Sequence, residues 1–148
     1  MTFELTISRL IPATPEEVFD AYTDPEKQRI WFNIIGEPGI IEATADLRVG
    51  GYITNVWGKS EDELFRETNT IRIFDRPNHL ATSSSGSDPS GMTMDTEVDI
   101  RFEAVDGGTL MTVVQSGFPS EEMRDFFTTY AWVGAFDRIT KFLEQSRP

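Results

Sequence analysis

The chain predicts an α+β domain: a curved antiparallel sheet of about six or seven strands wrapped around a long C-terminal helix, with two short helices after the first strand. Three observations carry this. An alternating stretch opens the chain and is followed at once by two helix-start signals. Residues 40 to 116 then read as short alternating runs separated by turn residues. Past Pro119 the patterning turns helical, to about Gln145. Consecutive strands with short connections are mainly antiparallel, because a parallel crossover needs about a dozen residues or more.

The first strand rests on Phe3, Leu5 and Ile7, with Glu4 and Thr6 between them. Pro12 ends it. Thr14-Pro15-Glu16-Glu17 is a capping box with proline at the first helical position, and Val18, Phe19 and Tyr22 give that helix its apolar side. Asp24-Pro25-Glu26 repeats the signal for a second short helix holding Ile30, Trp31 and Phe32, broken by Gly36, Pro38 and Gly39. Strands follow over Ile40 to Ala45, Tyr52 to Trp57, Leu64 to Phe74, Leu80 to Ser84, Met94 to Ala104 and Leu110 to Ser116. Their connections are Gly50-Gly51, a charged turn over Lys59 to Glu63, Arg76-Pro77-Asn78, and the hairpin signal Asp106-Gly107-Gly108. The stretch Ser83 to Gly91, with five serines, two glycines and a proline, reads as a mobile loop. With no repeat and no linker, residues 1–148 form one domain.

Composition removes several function classes. No cysteine is present, so disulfides, thiolate metal sites and cysteine nucleophiles are excluded. The 25 acidic and 13 basic residues give a formal net charge of −12. That balance opposes nucleic-acid binding and adsorption to anionic lipid. The N-terminus has no secretory pattern, and no apolar run reaches the length of a membrane span, so a cytoplasmic location is expected. Nucleotide-binding glycine motifs are missing, and no cofactor is expected. His79 is the only histidine; it lies beside a turn and reads as a surface residue. One imidazole cannot supply a zinc site, and Glu61, Asp62 and Glu63 read as a charged hairpin tip, so no metal is expected.

Several motifs in order resemble the START-like (SRPBCC) superfamily, and within it the family of homologues of the activator of the heat-shock-protein-90 ATPase. They are Ile11-Pro12-Ala13-Thr14-Pro15-Glu16-Glu17-Val18-Phe19-Asp20-Ala21, Thr23-Asp24-Pro25-Glu26 with Trp31, Asp46-Leu47-Arg48-Val49-Gly50-Gly51, Gly108-Thr109-Leu110, and the tryptophan-led helix Trp132 to Leu143. Ala131 stands where the family commonly has glycine before the helix tryptophan. The resemblance implies a helix-grip fold with a cavity between sheet and C-terminal helix. Asp46 and Arg48 read locally as a brace for the turn ahead of Gly50-Gly51, whose glycines supply positive φ.

On the long strand, Phe65, Glu67, Asn69, Ile71 and Ile73 share one parity, and the apolar ends mark it as the core face. Glu67 and Asn69 then point into the grip. A buried carboxylate requires a partner, either a ligand or an arginine, and Arg9 continues the inward parity of the first strand. A bulge reversing the parity would instead put Glu67 in water. Trp31, Phe32, Trp57, Phe65, Tyr130 and Trp132 are aromatic candidates for the lining. The leading expectation is binding of a small apolar or amphipathic molecule. Two alternatives follow from the resemblance: a chaperone-associated partner-binding protein, and a cyclase or hydrolase using Glu67 with Tyr52 or Tyr130 as general acid or base.

The terminal helix poses a separate problem. At about 100° per residue, Trp132, Phe136, Ile139 and Leu143 form one stripe, and Met123, Phe126, Phe127, Tyr130 and Val133 another, roughly opposite. A straight helix cannot bury both against one sheet. A kink near Ala131 to Gly134, a separate short helix, or a homodimer through Phe126, Phe127 and Tyr130 resolves it, and the dimer is favoured.

Overall fold

Alternation from Phe3 builds β1 (Phe3–Ile11), which continues past Ile7 because its last residues pair with the start of the final strand, Ile11 opposite Thr109. The computed structural model describes residues 1–32, 40–58, 60 and 62–146. Helix α1 (Pro15–Thr23) starts on the expected capping box: Thr14 Oγ1 accepts from the Glu17 N–H at 3.2 Å, and Glu17 Oε1 accepts from the Thr14 N–H at 3.0 Å. Asp24 closes α1 and caps α2 (Pro25–Trp31) through the Glu26 N–H.

Six strands follow: β2 (Ile40–Asp46), β3 (Tyr52–Gly58), β4 (Leu64–Asp75), β5 (His79–Ser87), β6 (Thr93–Val105) and β7 (Gly108–Phe118). The sheet is seven-stranded in the order β1-β7-β6-β5-β4-β3-β2, with antiparallel neighbours. First and last strands therefore pair, and the helices lie on one face. This is the helix-grip arrangement.

The segment read as a mobile loop is corrected: Ser83 to Ser87 belong to β5, paired with Glu97 to Thr93 of β6. Small hydroxylated residues carry no strong strand preference of their own, and two flanking ladders impose it. Only Asp88 to Gly91 form the turn, where Asp88 Oδ1 accepts from the Ser90 and Met92 N–H groups.

The glycine pair does two different jobs. Gly50 has φ +84°, as expected. Gly51 instead lets the chain pass close to Asp46, whose carbonyl a Cβ at Gly51 would overlap. The Arg48 Nε donates to Asp46 Oδ2 at 2.7 Å across that turn, in an exposed pair. Asp62 and Glu63 are exposed beside the β3–β4 turn; Lys59 and Glu61 lie outside the described residues.

The C-terminal helix is α3 (Glu121–Phe126), a π-helical turn (Phe127–Ala131) and α4 (Trp132–Gln145) in direct succession. The Trp132 N–H donates to the Phe127 carbonyl five residues back. This wider turn brings Phe127 and Trp132 onto one side, although a regular helix would separate them. Phe127 packs against the core at 5.2 Å from the Phe118 ring. Phe136, Ile139, Phe142 and Leu143 continue the buried face of α4. The expected second stripe is thus split: Phe127 turns inward, while Met123, Phe126 and Tyr130 remain exposed.

Trp132 is buried in this core, and its indole N–H is bonded to Gln115. Trp132→Ala should cost about 3–5 kcal/mol in urea unfolding. A loss below about 0.5 kcal/mol, the scale of a surface change, would remove Trp132 from the core.

Candidate functional site

Polar residues on an apolar parity mark the interior of the grip. On β3, Asn55 lies between Ile53 and Trp57. On β4, Glu67 and Asn69 precede Ile71. Thr82 and Ser84 follow Leu80 on β5, Thr96 precedes Val98 on β6, and Gln115 follows Met111 and Val113 on β7. Register aligns them: Asn55 opposes Glu67, Asn69 opposes Ser84, Ser84 opposes Thr96, and Val98 opposes Gln115. A band of buried polar side chains therefore crosses the inner face from β3 to β7.

Hydrogen bonds organise the band into two chains. Trp132 Nε1 donates to Gln115 Oε1 at 2.8 Å, and Gln115 Nε2 donates to Thr96 Oγ1 at 2.9 Å. In the second chain Thr82 Oγ1 donates to Asn69 Oδ1 at 3.2 Å, and Asn69 Nδ2 donates to Glu67 Oε1 at 2.8 Å. Thr82 thereby fixes the Asn69 amide so that its nitrogen faces the carboxyl group.

Glu67 is half-buried, and burial pushes its carboxyl above the usual range while the Asn69 bond pulls it back in part. No described Arg, Lys or His pairs with it. The inward-facing Arg9 is not its partner: Arg9 Nη1 bonds Asp137 Oδ1 of α4 at 2.7 Å, with its guanidinium over the Phe136 ring. Tyr22 of α1 faces the same region. Its hydroxyl is pushed up by burial and by the Glu67 charge, and its ring stacks on Trp132 with centroids 6.2 Å apart.

A run of stacked aromatic rings includes Trp57 and Phe65, the cross-strand pair next to Asn55 and Glu67 on the same face. Trp31 and Phe32 stack at 4.4 Å, Phe32 and Trp57 at 5.9 Å, and Trp57 and Phe65 at 5.6 Å with ring planes 7° apart. Trp31 is anchored by its indole N–H to the Ala21 carbonyl. The stack runs from the buried Trp31 to Phe65, which is 40% exposed.

Residues 12–144 match the family described as Activator of Hsp90 ATPase homolog 1-like protein. The chain belongs to this family. Solved structures of similar shape include a putative uncharacterized protein from Rhizobium leguminosarum, with TM-score 0.84 and 22% identity over 99% of this chain and 97% of that one. A Mycobacterium smegmatis protein has TM-score 0.72 and 23% identity, covering 97% and 92%. A Staphylococcus aureus protein of unknown function has TM-score 0.75 and 18% identity, covering 99% and 96%. At these identities they establish the fold. No curated protein matches the chain.

In this member of the activator-homologue family the nine sequence-predicted lining residues separate clearly. Trp31, Phe32, Trp57 and Phe65 form the ring stack, Glu67, Asn69 and Ile71 share the inner face of β4, and Trp132 covers Gln115. Tyr130 stands apart, 68% exposed and against Phe126. Tyr52 is also exposed, so neither tyrosine proposed to assist Glu67 does so. Tyr22 is the tyrosine whose hydroxyl feels the Glu67 charge. A bulge does interrupt β4, but between Ile71 and Ile73, beyond Asn69; it turns Phe74 inward onto Phe19 and leaves Ile73 exposed, correcting its inward assignment. His79 bonds Asp99 at 2.9 Å, remote from the band in the ladder.

Sequence reasoning followed inward polar residues by parity only on the first strand, at Arg9, and on β4. The same test on β3, β5, β6 and β7 finds Asn55, Thr82, Ser84, Thr96 and Gln115. Two surface recesses lie elsewhere. One is at the start of α1 against Gly107 and Gly108, the other beside Thr68, Thr70, Ser83 and Ser85, and neither is lined by α4.

Chemically, the arrangement offers a carboxyl group that holds a proton above its ordinary pH range. Its raised value has a sign for stability. The folded state binds the proton more tightly than the unfolded one, so this contribution is full below the ordinary 4.5 and is lost as pH rises through the folded value. Glu67→Gln should therefore unfold at higher urea than wild type at pH 7, with the difference shrinking toward pH 4. An unchanged or opposite difference would show that Glu67 is not penalised by burial.

Proposed function

We propose that this protein binds a small amphipathic molecule between the sheet and the C-terminal helix. One observation carries the reading: a half-buried carboxyl group on the inner face, held by Asn69 and next in the ladder to the stacked Trp57 and Phe65 rings. Among the described residues this inward carboxylate has no cationic partner, and burying an unpaired one costs stability. A ligand with a polar head and an apolar body matches both halves. Membership of a START-like family supports the same reading. No described helix is long and apolar enough to cross a membrane. We further propose a cytoplasmic location, a reading the net charge of −12 supports.

Native mass spectrometry of freshly purified protein tests this. An added mass of small-molecule size should be present, and Trp57→Ala should reduce its occupancy. A clean apo mass from cells and after incubation with lysate metabolites would overturn it.

A second reading concerns α3. Met123, Phe126 and Tyr130 are exposed together, with Phe126 and Tyr130 rings 5.3 Å apart. We propose that a second copy of the chain covers them. Phe127 belongs to the core, so the informative variant is Phe126→Asp/Tyr130→Asp. Wild type should sediment as a dimer at micromolar concentration and the variant as a folded monomer; a monomeric wild type refutes the interface.

A further inference from the structure

Two acceptors on neighbouring strands state what the site requires of a ligand. Asn55 and Glu67 stand directly opposite each other in the β3–β4 ladder and share its inner face. Side chains so opposed start about 5 Å apart. Asn55 is 7% exposed, and among the described residues nothing donates to its buried Oδ1. Buried acceptors in native proteins are normally satisfied, so an orphan here points to a missing donor.

Glu67 shows the same deficit. A carboxylate has about four acceptor positions, and among the described side chains Asn69 alone donates to it. Arg9, the inward cation of β1, is held by Asp137. The next cross-strand pair on the same face is Trp57 and Phe65, whose parallel rings present apolar surface beside the two acceptors.

We infer that the ligand is an amine on a flat apolar body, its ammonium group bridging Glu67 and Asn55 and its body lying along Trp57 and Phe65. This rests on the ligand-binding reading above and names the ligand's class. An ammonium carries several N–H donors, enough for both acceptors at once. Its bond to Glu67 is charge-assisted, which roughly doubles the strength of a neutral one. Aromatic faces attract the same cation. A net charge of −12 raises the local concentration of cations around the molecule. A fatty acid or other carboxylate is disfavoured by the same geometry, since two like charges would share one partly dry site.

Three naphthalene probes that differ in the head group test the inference: 1-naphthylmethylamine, 1-naphthalenemethanol and 1-naphthoate. Each is titrated into wild-type protein at pH 7 by calorimetry, with the Asn55 side-chain amide and Trp57 indole followed by NMR. The amine should bind about tenfold tighter than the alcohol, with naphthoate weakest, and should shift both signals. Glu67→Gln should lower amine affinity about tenfold and remove the preference over the alcohol. Wild-type selectivity is informative even if the variant folds poorly. Naphthoate or the alcohol binding as tightly as the amine, or amine affinity unchanged in folded Glu67→Gln, overturns the amine inference and leaves ligand binding standing. No binding by any probe at millimolar concentration also overturns it; the co-purification experiment then decides separately whether the grip holds another molecule.

Discussion

Each polar side chain on the concave face of the sheet must find a hydrogen-bond partner there or be left unsatisfied in a nearly dry space. That constraint governs the interior. Trp132, Gln115 and Thr96 meet it by a chain of directed bonds running from the helix to two strands. Thr82 and Asn69 meet it by a second chain that ends on Glu67. The two chains approach each other across Ser84, which opposes both Asn69 and Thr96. Because the partners sit on different strands, the bonds form only in one register. A slip by one residue would turn the polar set outward and leave Trp132 without an acceptor. The buried polar band therefore specifies the sheet as much as it decorates it.

The C-terminal helix has to satisfy the same band. Trp132 must face Gln115 while Phe127, five residues earlier, must fill the space beside Phe118. Regular α-helical spacing puts those two residues on different faces. The π turn over Phe127–Ala131 removes the conflict by inserting extra chain within one turn. Met123, Phe126 and Tyr130 are what remains outside once both requirements are met. A helix deviation and an exposed aromatic patch thus have one origin, the demand that a single helix serve the strand pair β1–β7 at one end and the polar band at the other.

Much of the fold was legible because it is written in local signals. Alternation marked the strands, the Thr14 and Asp24 caps marked both short helices, and Gly50-Gly51 marked the turn. What was not legible depends on contacts far apart in sequence. Ser83 to Ser87 look like a loop by composition and are a strand because two neighbours hold them. The bulge after Ile71 exchanges Ile73 for Phe74 on the inner face, and no residue there announces it. Tyr22 reaches the Glu67 region only through the placement of α1 over the sheet. Glu67 and Asn69 were legible since parity alone exposes them. Asn55, Thr96 and Gln115 interrupt apolar parity on their own strands in the same way and were readable from the alternation, whereas Ser84 lies in the segment that reads as a loop.

The fold and the site draw on different residues. Chains sharing about a fifth of their residues with this one keep its shape over nearly their whole length, which an apolar pattern of the right period and volume is enough to do. Nothing in that pattern needs a carboxyl group on the inner parity, where an apolar residue of similar size would avoid the cost of desolvating a charge. Polar residues in the grip therefore divide by what they accomplish for the chain itself. Gln115 and Thr96 complete a bonded chain that positions Trp132, so the fold accounts for them. Among the described residues Glu67 keeps spare acceptor capacity and Asn55 an orphaned carbonyl, although they face each other across one ladder step. Two deficits in the same place, beside the Trp57 and Phe65 rings, are the observations from which we propose a ligand that supplies the missing donor.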